Sequence, residues 1–147
     1  MVEVSGEIRI ECPVDVVFDV VADQRNEPRY NPALLEVEAL TEGPVGAGSR
    51  FRAVHASRGG PMEMTVELTD YDPPRRIASV TTASWAEIPG AVTFDRAGDA
   101  TRMRWSWDVR PKGLARVMTP LVGVVGRREE RACWEGLKRY LEGLAPA

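Results

Sequence analysis

Residues 2–21 read Val2-Glu3-Val4-Ser5-Gly6-Glu7-Ile8-Arg9-Ile10-Glu11-Cys12-Pro13-Val14-Asp15-Val16-Val17-Phe18-Asp19-Val20-Val21, and within this stretch the period of the apolar residues changes. Val2, Val4, Gly6, Ile8 and Ile10 alternate with Glu3, Ser5, Glu7, Arg9 and Glu11, the period of two of a half-buried strand, which predicts a strand over residues 2–11. From Pro13 the spacing becomes helical, with Val14, Val17, Phe18 and Val21 at i, i+3, i+4 and i+7. Pro13 suits the first helical position and Asp15 suits the positive end of the helix. The polar run Asp23 to Arg29, followed by Tyr30, Asn31 and Pro32, predicts a short second helix or turn, because the residue before a proline avoids the helical region. Such a segment is placed to form a lip.

Working outward, the chain from Leu34 to Val109 is divided by turn clusters at Gly43–Gly48, Arg58–Pro61, Asp72–Arg75, Pro89–Gly90 and Gly98–Asp99, which predicts a meander of about six antiparallel strands. Met62, Met64, Val66 and Leu68 face one way and Glu63, Thr65, Glu67 and Thr69 the other, so one face of the sheet is wet. In the last strand Met103, Trp105, Trp107 and Val109 make an unusually bulky apolar face. A helical stripe then runs through Leu114, Val117, Met118, Leu121, Val122 and Val125 and on to Trp134, Leu137 and Leu141. Pro120 predicts a kink or restart near Arg116–Pro120, and Gly123 and Gly126 loosen the helix further.

Composition narrows the function. With 19 Lys and Arg against 22 Asp and Glu, the 147 residues carry a net charge of −3, without the basic excess of a protein that neutralises many phosphates. A nucleic-acid partner is therefore not expected. This length suits one domain, residues 1–147, able to bury about two thirds of its unfolded surface without a metal or disulfide framework. Cys12 and Cys133 read as buried hydrophobes rather than a bridge. His55 is the only histidine, so neither a zinc site of Cys and His ligands nor a two-histidine iron site is expected, and no metal or cofactor. Charges at Glu3, Glu7 and Arg9 argue against a secretory signal, and Val117 to Gly126 is about half of the ~20 residues of a spanning helix, which predicts a cytoplasmic protein outside the membrane. None of the serines lies in a nucleophile-elbow pattern, and Gly43 to Gly48 lacks the Lys-Ser/Thr ending of a phosphate loop.

Pro13 with Val17-Phe18-Asp19 and Asp23, Tyr30-Asn31-Pro32, Gly43-Pro44-Val45-Gly46-Ala47-Gly48-Ser49-Arg50-Phe51, Tyr71-Asp72-Pro73-Pro74-Arg75-Arg76, Gly98 to Arg102, and Leu137-Lys138-Arg139-Tyr140-Leu141-Glu142 follow one another in an order that resembles the START-like, helix-grip superfamily. The resemblance is to its branch of polyketide cyclases/dehydrases and lipid transport proteins, also called SRPBCC, and covers nearly the whole chain. It implies an α+β fold with a seven-stranded antiparallel sheet curled around a long C-terminal helix, two short helices after strand 1, and an apolar cavity between sheet and helix. Two departures from the family pattern bear on pocket shape: Tyr30 stands where relatives often carry Trp, and the Trp105–Trp107 pair is bulkier than usual.

The expected cavity wall is Tyr30, Phe51, His55, Met64, Trp85, Met103, Trp105, Trp107, Met118 and Val122, with residues 23–32 and the kinked helix as gates. Indole surfaces suit a ring-containing or acyl ligand, and methionines adapt to several shapes. The ordinary alternative for the tryptophans and for the stripe Met118 to Val125 is plain core, as expected of Trp134. His55 has the pKa range of a general base, though a lone histidine at a strand end more often lies at a surface or mouth. Glu87 is the one strand carboxylate placed to turn inward, although exposure is the commoner fate, and the mixed signs of Arg127-Arg128-Glu129-Glu130-Arg131 read as a solvated helix face. Three functions stay open. The first is binding of a small hydrophobic or aromatic ligand, lipid, isoprenoid or polyketide-like, in a cavity of several hundred Å3. The second is a cyclase or dehydratase moving protons with Tyr30, His55 or Glu87, and the third a protein-interaction module, with a homodimer among its assemblies.

Overall fold

A computed structural model describes residues 2–57 and 59–144. Strand β1 (Val2–Ile10) leads through Cys12 and Pro13 into helix α1 (Val14–Ala22), then a short helical turn, Gln24–Arg29. Six strands follow: β2 (Leu34–Ala39), β3 (Arg50–His55), β4 (Met62–Asp72), β5 (Arg76–Thr82), β6 (Ala86–Ala97) and β7 (Ala100–Pro111). A second helical turn, Gly113–Met118, hands over to the long helix α2 (Thr119–Leu144). All seven strands form one antiparallel sheet in the order β1-β7-β6-β5-β4-β3-β2. The expected α+β helix-grip architecture is the observed one.

Three local features differ from expectation or sharpen it. Pro89 and Gly90 lie inside β6, not in a turn; the β5–β6 hairpin turns at residues 83–85 instead. Pro89 keeps its place opposite Val80 of β5, but the pairing with β7 lapses at Ile88 and Pro89, since proline has no N–H to give that ladder. Gly90 stands opposite Trp107, where a Cβ would fall 2.2 Å from the Ser106 carbonyl oxygen. Pro120 is the second residue of α2, where its missing N–H is harmless, so the chain restarts there rather than kinks. Of the expected turn at Arg58–Pro61, Arg58 lies outside the described residues.

The core follows the strand alternation. Phe18 of α1 meets Phe94 and Tyr71 edge-on, with ring centroids 5.3 and 5.4 Å apart. Phe51, Leu68, Met103, Leu137 and Leu141 are wholly buried around it. Helix α2 packs along β1 from Gly123 and Gly126, which lie against Val2 and Val4, onward, and Arg127, Arg131 and Lys138 donate to the carbonyls of Glu3, Glu7 and Arg9. Cys12 and Cys133 are buried and free. No described helix is long and apolar enough to cross a membrane.

Candidate functional site

On the inward face of the sheet, burial falls steadily toward one end. Along β4 it runs from Leu68, fully buried, through Val66 to half-buried Met64 and Met62; along β5, from Ile77 and Ser79 to half-buried Thr81. On β6, Phe94 and Val92 are buried but Ile88 is not, and on β7, Met103 and Trp105 are buried but Trp107 is not. Cross-strand pairing puts these residues on one face, with His55 opposite Met62, Met64 opposite Ala53, Thr81 opposite Ile88 and Val92 opposite Trp105. Past them lies a second, separate buried cluster of Val4, Ala86 and Val109, onto which Trp85, Trp107 and Val122 pack. Solvent thus reaches inward-facing side chains between two cores, under the N-terminal half of α2.

The expected wall residues divide accordingly. Tyr30, Phe51, Met103 and Trp105 are packed in the main core, at 6% exposure or less. His55, Met64, Trp85, Trp107 and Val122 are the half-buried ones that line the gap, and Met118 stands out on the surface at 49%. Glu87 lies on the opposite face from Ala86 and Ile88, facing Thr82 and Arg110 across the sheet. Two shallow surface hollows of about 230 Å3 lie elsewhere, one between Arg25 and the β2–β3 loop and one on the outer face of β3–β5.

The gap holds polar groups, and one of them corrects an expectation. Glu130 is not on a solvated face. Its Oε2 accepts from the indole N–H of Trp134 at 2.7 Å and of Trp107 at 3.0 Å, while Oε1 takes no hydrogen bond among the described residues. Burial first, and then neighbouring Glu27, push its pKa up to about 7 despite the two indole donors. Glu27 comes from the helical turn Gln24–Arg29; it accepts from Asn31 Nδ2 at 3.1 Å, and burial raises its pKa too, with Asn31 and His55 opposing. Asn31 is oriented by its own backbone, since its side-chain oxygen accepts from the Ala33 N–H at 3.1 Å. The Tyr30 hydroxyl and the Cys133 thiol beside these carboxyls are pushed well up by burial and by the acidic neighbours.

His55 closes one side. Its Nδ1 lies 2.7 Å from the Ala56 carbonyl oxygen, so Nδ1 carries the proton and Nε2 is left facing Glu129 Oε2 at 3.7 Å. Trp85 donates its indole N–H to the Met62 sulfur at 3.0 Å, tying the β5–β6 turn to the start of β4. The bulk of Trp105 and Trp107 is accommodated by glycine: Gly6 stands opposite Trp105 on β1, and Gly90 opposite Trp107 on β6. One signal for Glu130 was present in the sequence, for it is four residues before Trp134 and seven before Leu137, on the buried stripe. Glu27 gave none. No group of metal-ligating side chains gathers among the described residues.

The family model described as polyketide cyclase / dehydrase and lipid transport matches residues 1–142. No curated protein sequence matches the chain. Among solved structures, a protein of Thermus thermophilus superposes at a TM-score of 0.84 with 18% identity, covering 98% of this chain and 99% of its own. A START superfamily protein of Mycobacterium smegmatis gives 0.83 at 17%, covering 97% and 99%. The di-domain ARO/CYC protein BexL, from a biosynthetic pathway, gives 0.72 at 24%, covering 93% of this chain and 46% of that one.

Proposed function

We propose, from the premise that this chain belongs to the polyketide cyclase / dehydrase and lipid transport family, that it binds a small apolar, ring-containing or acyl ligand between the sheet and the N-terminal half of α2. The observation that carries the reading is the row of half-buried inward residues, Met62, Met64, Thr81, Ile88 and Trp107, running between two buried clusters that Trp107 bridges. Core positions left wet on four adjacent strands are costly unless something apolar covers them. The methionines give the wall adaptability and the tryptophan gives it a flat surface.

Native mass spectrometry of the freshly purified chain, followed by titration with the neutral fluorophore N-phenyl-1-naphthylamine, tests it. A retained small-molecule adduct or a saturable rise in fluorescence is expected, and Thr81→Trp, which fills the gap, should abolish the rise while leaving the circular dichroism unchanged. An empty chain that never enhances the dye would overturn the reading.

A second reading, a cyclase-type enzyme in the same gap, is favoured by one observation: Glu130, with a pKa of about 7 and one free oxygen, suits proton transfer at neutral pH. The expected test outcome is a bell-shaped pH–rate profile on a poly-β-keto thioester whose limb near neutrality disappears in Glu130→Gln. A profile unchanged in that variant would remove Glu130 from any such reaction.

A further inference from the structure

We propose that Glu27 and Glu130 make this gap selective for an uncharged apolar ligand bearing a hydroxyl or keto group, and against the carboxylate of a free fatty acid. The inference rests on the ligand-binding reading above and adds the chemistry of the polar group. The two carboxyls come from separate elements, the turn Gln24–Arg29 and α2, and converge at the inner wall. Glu130 is fixed there by two tryptophans at once, through Oε2 alone, so its direction is set and Oε1 is left to meet whatever enters. That side chain is held by two donors at one oxygen while the other stays open to solvent, so a ligand oxygen entering the gap can take the place of water there.

The surrounding charges decide which oxygen. Facing the pair are Tyr30 from the turn, Glu129 and Cys133 from α2, and His55 from β3; His55 already turns its Nε2 to Glu129. Arg131 of α2 lies over the Trp105 ring and is engaged by the Glu7 carbonyl. A further carboxylate would therefore enter against like charge with no described cation committed to it. A hydroxyl meets no such opposition, since it donates to Oε1 when Glu130 is ionised. A keto oxygen accepts from the same atom when Glu130 is protonated, and both states are populated near neutrality.

The experiment compares dodecanol with dodecanoate, identical in chain length, by quenching of tryptophan fluorescence and by native mass spectrometry at about pH 8, where the fatty acid is ionised. Wild type is expected to bind the alcohol at least about tenfold more tightly than the acid. In Glu27→Gln/Glu130→Gln that ratio should fall toward one, chiefly through tighter binding of dodecanoate. Should the double variant fail to fold, Glu27→Gln alone must still narrow the ratio. Equal binding of the two by wild type, or preference for dodecanoate, overturns the selectivity while leaving the ligand-binding reading intact. If neither binds and the naphthylamine also fails, the ligand-binding reading falls and this inference with it.

Discussion

Glu130 illustrates how one residue's protonation links site to stability. Its carboxyl titrates near 4.5 when unfolded and at about 7 when folded, so between those values the folded chain holds more protons than the unfolded one. The stability contributed by the neutral carboxyl is complete below 4.5 and is lost as pH rises through 7, and the raised Glu27 acts in the same direction. Urea denaturation at pH values either side of this window should show wild type losing on the order of 2 kcal/mol, with Glu130→Gln much flatter. An equal slope in both would show that Glu130 is solvated after all. Gly136 makes a different residue-scale prediction. A Cβ there would lie 2.2 Å from the Tyr30 carbonyl oxygen, so Gly136→Ala must push α2 off the turn that carries Glu27, at a cost of roughly 1–3 kcal/mol in thermal or urea unfolding. Glu130 carried two opposed signals in sequence, since its spacing to Trp134 and Leu137 pointed to the buried stripe while the mixed charges around it pointed to water; Gly136 carried none, because a glycine within a helical stripe looks the same whether it loosens the helix or admits another backbone.

At the scale of the element, α2 is two helices in behaviour. Its C-terminal half carries Cys133, Trp134, Leu137 and Leu141 in the core, while Leu121, Val124 and Val125 near its start are 51%, 57% and 42% exposed. Leu137→Ala should therefore destabilise by about 2–5 kcal/mol, and Leu121→Ser by less than ~0.5 kcal/mol, on the same denaturation curve. A comparable loss from Leu121→Ser would mean that the first half is packed as tightly as the second. The whole stripe was visible as a helix because its spacing is helical throughout; spacing reports the face, not whether the sheet reaches up to it. Strand alternation was more informative, and the inward sets of β1, β4 and β7 were readable directly. The misplaced turn at Pro89–Gly90 has a physical cause, since these residues break strands in general but here serve a lapse in pairing and the bulk of Trp107. On the wet face Arg52 pairs with Glu36 and Glu38 of β2 and Glu63 of β4, at 2.6, 2.9 and 3.4 Å. Arg52→Ala should cost under about 1 kcal/mol, a loss that shrinks further in high salt.

For the whole molecule, the order of strand, short helices, six-strand meander and long helix pointed to an antiparallel sheet curled about one helix, while the seven-stranded helix-grip architecture was what the family resemblance implied. Which wall positions stay wet was not legible, since that depends on where α2 lies across the sheet. It lies along β1, and Glu129 comes within 3.7 Å of His55 on β3. The same topology bears on how the chain comes to be folded. Among the described residues β1 pairs with no strand except β7, so residues 2–10 wait for residues 101–109 before their hydrogen bonds can close. During synthesis the first strand is thus exposed on the ribosome until more than two thirds of the chain has emerged, with the meander β2 to β6 able to pair locally in the meantime. Glu3, Glu7 and Arg9, alternating along that waiting strand, keep its edge charged and discourage it from pairing with a neighbouring nascent chain.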